Sequence, residues 1–355
     1  MGFRFVHTAD WQLGKPFGGF GPERAARLQE ARLGIVQRVA DLARREGAAH
    51  VLVAGDVWDQ ETPSNAVLRQ PLDRMAQASD LTWWLLPGNH DPAKQFEESL
   101  WDRLRAWGVP PHIRLLTEAV PHEMERGITL LPAPWHSKRP GKDLTSWFGG
   151  EGTRIGLAHG GTMSISSSED DSAVIAADRA EKAGLAYLAL GDWHAFKKAA
   201  PRTFYPGTPE PDDYRNTDQG KALVVDLDDP DAPMVHHLGI YAWKRIEVAL
   251  EGAADLDEIL TSDGPLDQRL LRLKLSGHLT HEERAELETR LSEEADRFFA
   301  LDADWSGVTT LLGGETLDAR LGEGLLKRVA GRLADMEGQP QAGEALRYLS
   351  RFVRS

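Results

Sequence analysis

Five short apolar runs, each closed by a loop of acid, amide or imidazole side chains, restrict the fold of this sequence more than any other feature. Phe3 to Ala9 ends in Asp10-Trp11-Gln12, and Val51 to Ala54 in Gly55-Asp56-Val57-Trp58-Asp59. Leu81 to Leu86 ends in Pro87-Gly88-Asn89-His90-Asp91, Ile155 to Ala158 in His159-Gly160-Gly161, and Leu185 to Leu190 in Gly191-Asp192-Trp193-His194. Short apolar runs bounded by turn residues read as buried strands. Open α/β sheets bind ligands at the carboxyl ends of their strands, so the five loops are expected at one sheet edge. Each loop alone is ordinary turn chemistry; together they point to a site.

Between the loops, Pro22 to Glu46 reads as one helix with Leu28, Ile35, Val39 and Leu42 on a stripe and Gly47 as its stop. Ser64 to Ala78 and Phe96 to Trp107 read as further helices, and Ile113 to Leu116 and Ile128 to Leu131 as strands. Thr162 to Ser172 lacks periodicity and reads as a loop, followed by a helix over Ala173 to Ala183. Strands are expected at Thr203 to Tyr205, Ala222 to Leu227 and Met234 to Leu238, which makes a mixed sheet system with helices outside. Near Tyr241 to Arg245 the pattern changes. A helix near Leu256 to Leu260, a strand over Leu270 to Leu275, a helix over His281 to Asp296 and a strand over Trp305 to Leu311 form a small α+β module. Thr280 and Glu283 have capping-box spacing for the longer helix. Two helices, Gly324 to Met336 and Ala342 to Phe352, follow. The expected division is 1–245, 246–315 and 316–355, the last a candidate partner-binding surface.

The 355 residues include no cysteine, which excludes disulfides, thiolate zinc sites and a cysteine nucleophile. With neither a leader pattern nor an apolar run near about 18 residues, a cytoplasmic protein without a membrane partner is expected. The net charge of −14 argues against a uniformly basic nucleic-acid binder. A nuclease stays open, because metal ions supply positive charge where phosphate reacts and a basic stripe can sit on an acidic protein. Lys15, Lys197 and Lys198 are candidate substrate contacts beside the loops. Trp11, Trp58 and Trp193 suit packing beneath the loops better than base stacking, although Trp11 is kept with the lysines as a candidate contact. His7 and His136 read as satisfied structural histidines.

In their order along the chain, the five loops resemble the calcineurin-like metallophosphoesterase superfamily. Its pattern is Asp-x-His, Gly-Asp-x-x-Asp, Gly-Asn-His-Asp/Glu, a His after a strand, and Gly-His-x-His. The resemblance implies an α/β fold, a four-layer αββα sandwich of two mixed β-sheets, here with a small C-terminal α+β capping domain. It also implies two divalent metals about 3.5–4 Å apart and a carboxylate between them, the place of Asp56. One metal would take Asp10, Asp56, His194 and the side chain at position 12; the other would take Asp56, Asn89, His159 and the side chain at position 192. His90 would protonate the leaving oxygen, with Asp91 orienting it. Gln12 and Asp192 each stand where that pattern has histidine. An amide oxygen is a weaker ligand than imidazole and a carboxylate adds charge, so the centre is expected to prefer Mn²⁺, with Mg²⁺ the alternative, and to fill the Gln12 side second.

Within the superfamily, His7-Thr8-Ala9-Asp10-Trp11-x-Leu13-Gly14, Gly55-Asp56-Val57-Trp58-Asp59 and Tyr205-Pro206-Gly207-Thr208-Pro209-Glu210 resemble one branch. That branch holds the nuclease subunit of the bacterial SbcC–SbcD complex and its double-strand-break repair counterparts. It implies metal-dependent cleavage of DNA as an exonuclease, with endonuclease activity open, and an SMC-like coiled-coil ATPase partner. It also implies a homodimer through Ser64 to Ala78 and Phe96 to Trp107. Trp101, Leu104 and Trp107 fit such a face and fit burial on the parent sheet about as well. Two other readings stay open: a small-molecule phosphodiesterase or phosphatase, and a non-catalytic subunit with a degenerate metal site.

Overall fold

Alternation within the strands decides the layers. In β1 (Arg4–Thr8) and β2 (His50–Val53), Val6, Val51 and Val53 face one side while Phe5 and Leu52 face the other, and all five are buried. A sheet with two apolar faces must be covered on both. In the computed structural model, which describes residues 2–162, 174–215, 218–250, 253–261, 264–311, 324–334, 336, 345 and 349, it is. Most of the expected loop over Thr162 to Ser172, and all but two residues of the expected helix over Ala342 to Phe352, lie outside the described residues.

The chain divides into two compact units, Met1–Tyr241 and Ala242–Ser355. In the first, β1 and β2 run parallel with β3 (Thr82–Leu85) and β4 (Ile113–Leu115). On the other side of β1, β11 (Lys221–Asp226) and β12 (Met234–His237) add antiparallel, completing a six-stranded sheet. The second six-stranded sheet has the order β5 (His122–Glu123), β6 (Ile128–Ala133), β7 (Thr153–His159), β8 (Tyr187–Gly191), β10 (Thr203–Tyr205) and β9 (Lys197–Ala200). Its inner strands are parallel and both edges antiparallel. Two mixed sheets flanked by helices are therefore present, as the family resemblance implied.

Phe5, Leu52, Trp84 and Leu86 from the first sheet meet Leu130, Ile155, Leu157 and Tyr187 from the second in one core between the sheets. Outside the first sheet, Val6, Val51, Val53 and Trp83 pack on α2 (Ile35–Arg45), α3 (Asn65–Gln77) and α4 (Leu100–Trp107). Outside the second, Leu188 and Leu190 pack on Phe148 and on Ala180 of the short α5 (Arg179–Lys182). His7 ties the two sheets together: its buried ring contacts Tyr187 Oη at 3.0 Å and the Leu190 carbonyl at 3.1 Å. Burial pushes this imidazole down to about 3, against the opposing effect of the Leu190 bond, so it stays neutral in ordinary buffers.

Three expectations change. The helix over Pro22 to Glu46 is two, α1 (Pro22–Leu33) and α2, parting at Gly34, a poor helix former. Trp101 and Leu104 are fully buried in the protomer's own core, so they are not available to a dimer face. Trp107 is partly buried on that core and carries the Arg69 guanidinium 4.6 Å above its ring. Lys197 and Lys198, read from the sequence as candidate contacts beside the loops with no strand expected there, form edge strand β9, whose polar sequence carries no strand signal.

The second unit is built from β13 (Ala242–Leu250), β14 (Arg269–Thr280) and β15 (Ala300–Leu311), all parallel. Helix α6 (Asp257–Thr261) lies in the first crossover and α7 (His281–Ala295) in the second. The reciprocal Thr280 and Glu283 bonds expected from the sequence start α7. Leu250, Leu256, Leu271, Leu273, Leu275, Leu287 and Phe298 make its core. A last helix, α8 (Leu325–Ala334), exposes Leu325 and Leu326. Among the described residues no helix is long and apolar enough to cross a membrane.

Candidate metal centre

Beyond the strands, the loops after β1 and β2 continue to pair. The Asp10 amide donates to the Gly55 carbonyl at 3.1 Å, and those of Gln12 and Leu13 to Asp56 and Val57, both at 2.9 Å. These bonds hold Asp10, Gln12 and Asp56 at φ of 54°, 42° and 51°, while Asp192 sits at 103°. Left-handed backbone is unfavourable for residues with a Cβ and gathers at functional sites. Of the seven such residues outside glycine among those described, four are candidate ligands. Two glycines make room for them. A Cβ on Gly55 would come within 2.2 Å of His159 Nδ1, and one on Gly88 within 2.2 Å of Asp56 Oδ1.

Ligating atoms of Asp10, Asp56 and His159, all buried, lie within 4.8 Å of one another. His159 Nδ1 donates to the Ala54 carbonyl at 2.9 Å, which turns Nε2 to the other side. There Asn89 Oδ1 is at 2.8 Å, Asp56 Oδ1 at 3.5 Å and Asp192 Oδ1 at 3.9 Å. The Asp192 amide bonds both carboxylate oxygens of Asp10 at 3.1 Å. His194 approaches from the fifth loop, with Nε2 4.0 Å from Asp10 Oδ1 and Nδ1 3.2 Å from Asp212 Oδ1.

Burial alone would lower the His159 pKa, but the Asp56, Asp10 and Asp192 carboxylates outweigh it and hold the imidazole up to about 9. Burial raises Asp10 to about 6; the His194 and His159 rings restrain that rise and Asp56 and Asp192 add to it. Three carboxylates, an amide oxygen and an imidazole turned to one point, in a buried and net negative setting, fit a divalent cation of the oxygen-preferring kind. Such perturbed groups in one cleft are also the signature of a functional site.

The remaining sequence candidates are placed differently. The Asp91 carboxylate does not touch the His90 ring; it accepts from the Gly88 amide at 2.7 Å and the Trp58 amide at 3.0 Å, fully buried. Asp91 therefore clamps two loops, and His90 is oriented by the Asp59 carbonyl, 2.9 Å from Nδ1. Asp91→Ala leaves two buried donors without a partner, so it should cost about 2–5 kcal/mol of stability, read by urea unfolding. If Asp91 instead served His90, turnover would fall with stability unchanged. Trp11 is fully buried beneath its loop, with Nε1 bonded to Thr8 Oγ1 at 2.8 Å, so it offers no ring face to substrate. Lys198 pairs with Asp231 at 3.1 Å, and Lys197 lies 5.4 Å over the Trp193 ring. Lys15 joins the site through Gln12 and Asp212, at 3.0 and 2.6 Å.

Sequence reasoning missed Asp212 and Arg32. Arg32 Nη1 donates to the Trp11 carbonyl at 2.6 Å and Nη2 to the Glu210 carbonyl at 2.9 Å. Burial opposes ionisation of Asp212, yet the His194 bond and the Arg32 and Lys15 cations hold its carboxyl far below the usual carboxylate range. The turn from Tyr205 to Glu210 carried the only hint, since Asp212 lies two residues beyond it.

The calcineurin-like phosphoesterase family model matches residues 3–182, about half of the chain and four of the five loops. The chain belongs to the calcineurin-like phosphoesterases. The family is one of phosphoester hydrolases that bind divalent metals. It is 28% identical over 239 residues to the uncharacterized metallophosphoesterase YhaO of Bacillus subtilis (strain 168), covering 62% of this chain and 56% of that protein. Over 98 residues it is 36% identical to the SbcD component of the SbcCD nuclease of Rhodobacter capsulatus, covering 26% of this chain and 23% of that protein. This calcineurin-like phosphoesterase thus spans about half or less of the curated relatives it matches. The crystal structure of TT1561 of Thermus thermophilus aligns with a TM-score of 0.42 at 12% identity, over 67% of this chain and 100% of that one.

Proposed function

We propose that this phosphoesterase cleaves DNA phosphodiester bonds as a Mn²⁺-dependent exonuclease. The carrying observation is that Asp10, Asp56, Asn89, His159, Asp192 and His194 gather beside His90, whose Nε2 lies 3.9 Å from Asp56 Oδ2. A cavity of about 550 Å³ opens there, lined by Asp59, Glu61, Asn89, His90, Lys138 and Arg139 among others, with Lys138 paired to Glu61 at 2.9 Å, and leaves room for an extended substrate beside His90. The partial similarity to the nuclease subunit supports DNA over a small diester.

Asp56, Asn89, His159 and Asp192 would hold one divalent ion, and Asp10, Asp56 and His194 would face a second. When bound, such ions neutralise phosphate oxygens and make hydroxide available near neutral pH. The chain's own contribution is a proton. With His90 Nδ1–H committed to the Asp59 carbonyl, Nε2 faces the centre and carries a proton to the leaving oxygen. Oxygen-rich ligands favour Mn²⁺, with Mg²⁺ next. The same resemblance supports an SMC-like coiled-coil ATPase partner and a homodimer through Ser64 to Ala78 and Phe96 to Trp107, and the absence of cysteine suits a cytoplasmic setting.

Purified protein with Mn²⁺ should degrade linear plasmid and hairpin DNA faster than it hydrolyses bis-p-nitrophenyl phosphate. Turnover of the small diester without DNA cleavage would replace this function with a small-molecule phosphodiesterase. Neither activity, in protein that binds Mn²⁺, would make the chain a non-catalytic subunit.

A further inference from the structure

Four side chains close a ring on one side of the centre. Lys15 Nζ donates to Gln12 Oε1 at 3.0 Å and to Asp212 Oδ2 at 2.6 Å. Asp212 Oδ1 accepts from His194 Nδ1 at 3.2 Å, and His194 Nε2 lies 3.3 Å from Gln12 Nε2. An ammonium has donors only, so the amide atom it touches must be the carbonyl oxygen. The orientation of Gln12 is therefore dictated: its oxygen points to Lys15 and its NH₂ points to His194. The His194 ring is held on that side by Asp212, with Nε2 3.3 Å from the Gln12 NH₂.

The ring is well anchored. Asp212 is buried, with the Arg32 guanidinium 3.7 Å from Oδ2. The side-chain positions of Lys15 and Asp212 are thus coupled to buried structure, and Gln12 is itself nearly inaccessible at 2% exposure. A ligand's outer partners commonly change metal affinity by about 10–100-fold. Here the outer partner takes the ligand atom itself.

We propose that Lys15 is a positioning residue that makes Gln12 a hydrogen-bond donor instead of a metal ligand, so that the resting protein holds one tight divalent ion and admits a second only weakly. The tight position is that of Asp56, Asn89, His159 and Asp192. On the other side, Gln12 withholds its oxygen and turns its NH₂ toward His194, leaving Asp10 and Asp56 as the ready ligands. This rests on the reading of the site as a metal centre, and not on DNA as substrate.

The test is Mn²⁺ binding to the full chain, by calorimetry and by the electron paramagnetic resonance of bound Mn²⁺. The native protein should show one tight, magnetically isolated ion. Lys15→Met frees the Gln12 carbonyl to turn inward, and should tighten the second ion by about 10–100-fold and introduce spin coupling between ions, with the first affinity little changed. Removing a positive charge would tighten binding through the field alone, so the double variant Lys15→Met/Gln12→Leu separates the causes. If Lys15 acts through Gln12, the gain disappears in the double variant. Gln12→His, which offers no carbonyl to Lys15, gives an independent route to a tighter second ion. Two equal sites in the native protein, an unchanged second ion in Lys15→Met, or a gain that survives in the double variant would each overturn the proposal. Absence of any Mn²⁺ binding would overturn the metal centre itself.

Discussion

His90→Ala should bind Mn²⁺ as the native chain does and lose about 10²–10⁴-fold in turnover, the usual contribution of a general acid. The separation follows from which atoms of residue 90 do what. Its backbone amide donates to Asp56 Oδ1 at 3.0 Å and survives the substitution, so the carboxylate keeps its position. What is lost is Nε2, the ring atom free of the Asp59 carbonyl. The remaining activity should be greatest on substrates whose leaving group departs without a proton, such as p-nitrophenolate. Elemental analysis beside steady-state kinetics checks both halves; if metal content falls with turnover, His90 is a ligand and the acid must be sought elsewhere.

Asp56→Ala is expected to lose bound metal together with turnover, by more than the ~10²–10³-fold that removal of one electrostatic donor usually costs. Asp56 lies 3.5 Å from His159 Nε2 and within 4.8 Å of the Asp10 carboxylate, so both candidate positions use it. Its removal should not unfold the chain, since the main-chain pairing of Gln12 with Asp56 does not involve the side chain. Circular dichroism with elemental analysis separates the two effects. A variant that retains full metal content would show that Asp10, His159 and Asp192 suffice without a shared carboxylate.

The five loops were legible because each is a short run of side chains whose chemistry announces itself locally, at the end of a strand whose burial is written in its apolar residues. The same strands announced a mixed sheet system, and its division into two sheets came from the family resemblance that the loops carry. What stayed hidden depends on direction. Asp91 adjoins His90 in sequence, yet its carboxylate turns to the Gly88 and Trp58 amides. Trp101 and Leu104 repeat at helical spacing, which is the same for a core face and for a partner face. Gln12 could be seen as an anomaly, but the direction of its amide depends on Lys15 and on Asp212, far along the chain. The break at Gly34 is a single weak helix former whose effect depends on the packing around it.

The candidate ligands divide by sheet: Asp10, Asp56 and Asn89 follow strands of the first, His159 ends β7 and Asp192 and His194 follow β8 in the second, and His7 joins the two layers below them. The centre is therefore a joint between two plates. A slip of one plate along the other by a single residue, about 3.3 Å, exceeds any tolerance of a coordination shell. The alignment of the two layers would thereby be read out as the presence or absence of bound metal, and a bound metal would in turn resist their sliding. In this architecture the candidate metal centre and the fastening between the halves of the sandwich coincide, so residues remote from it that keep the plates in step, His7 first among them, would share in holding a metal.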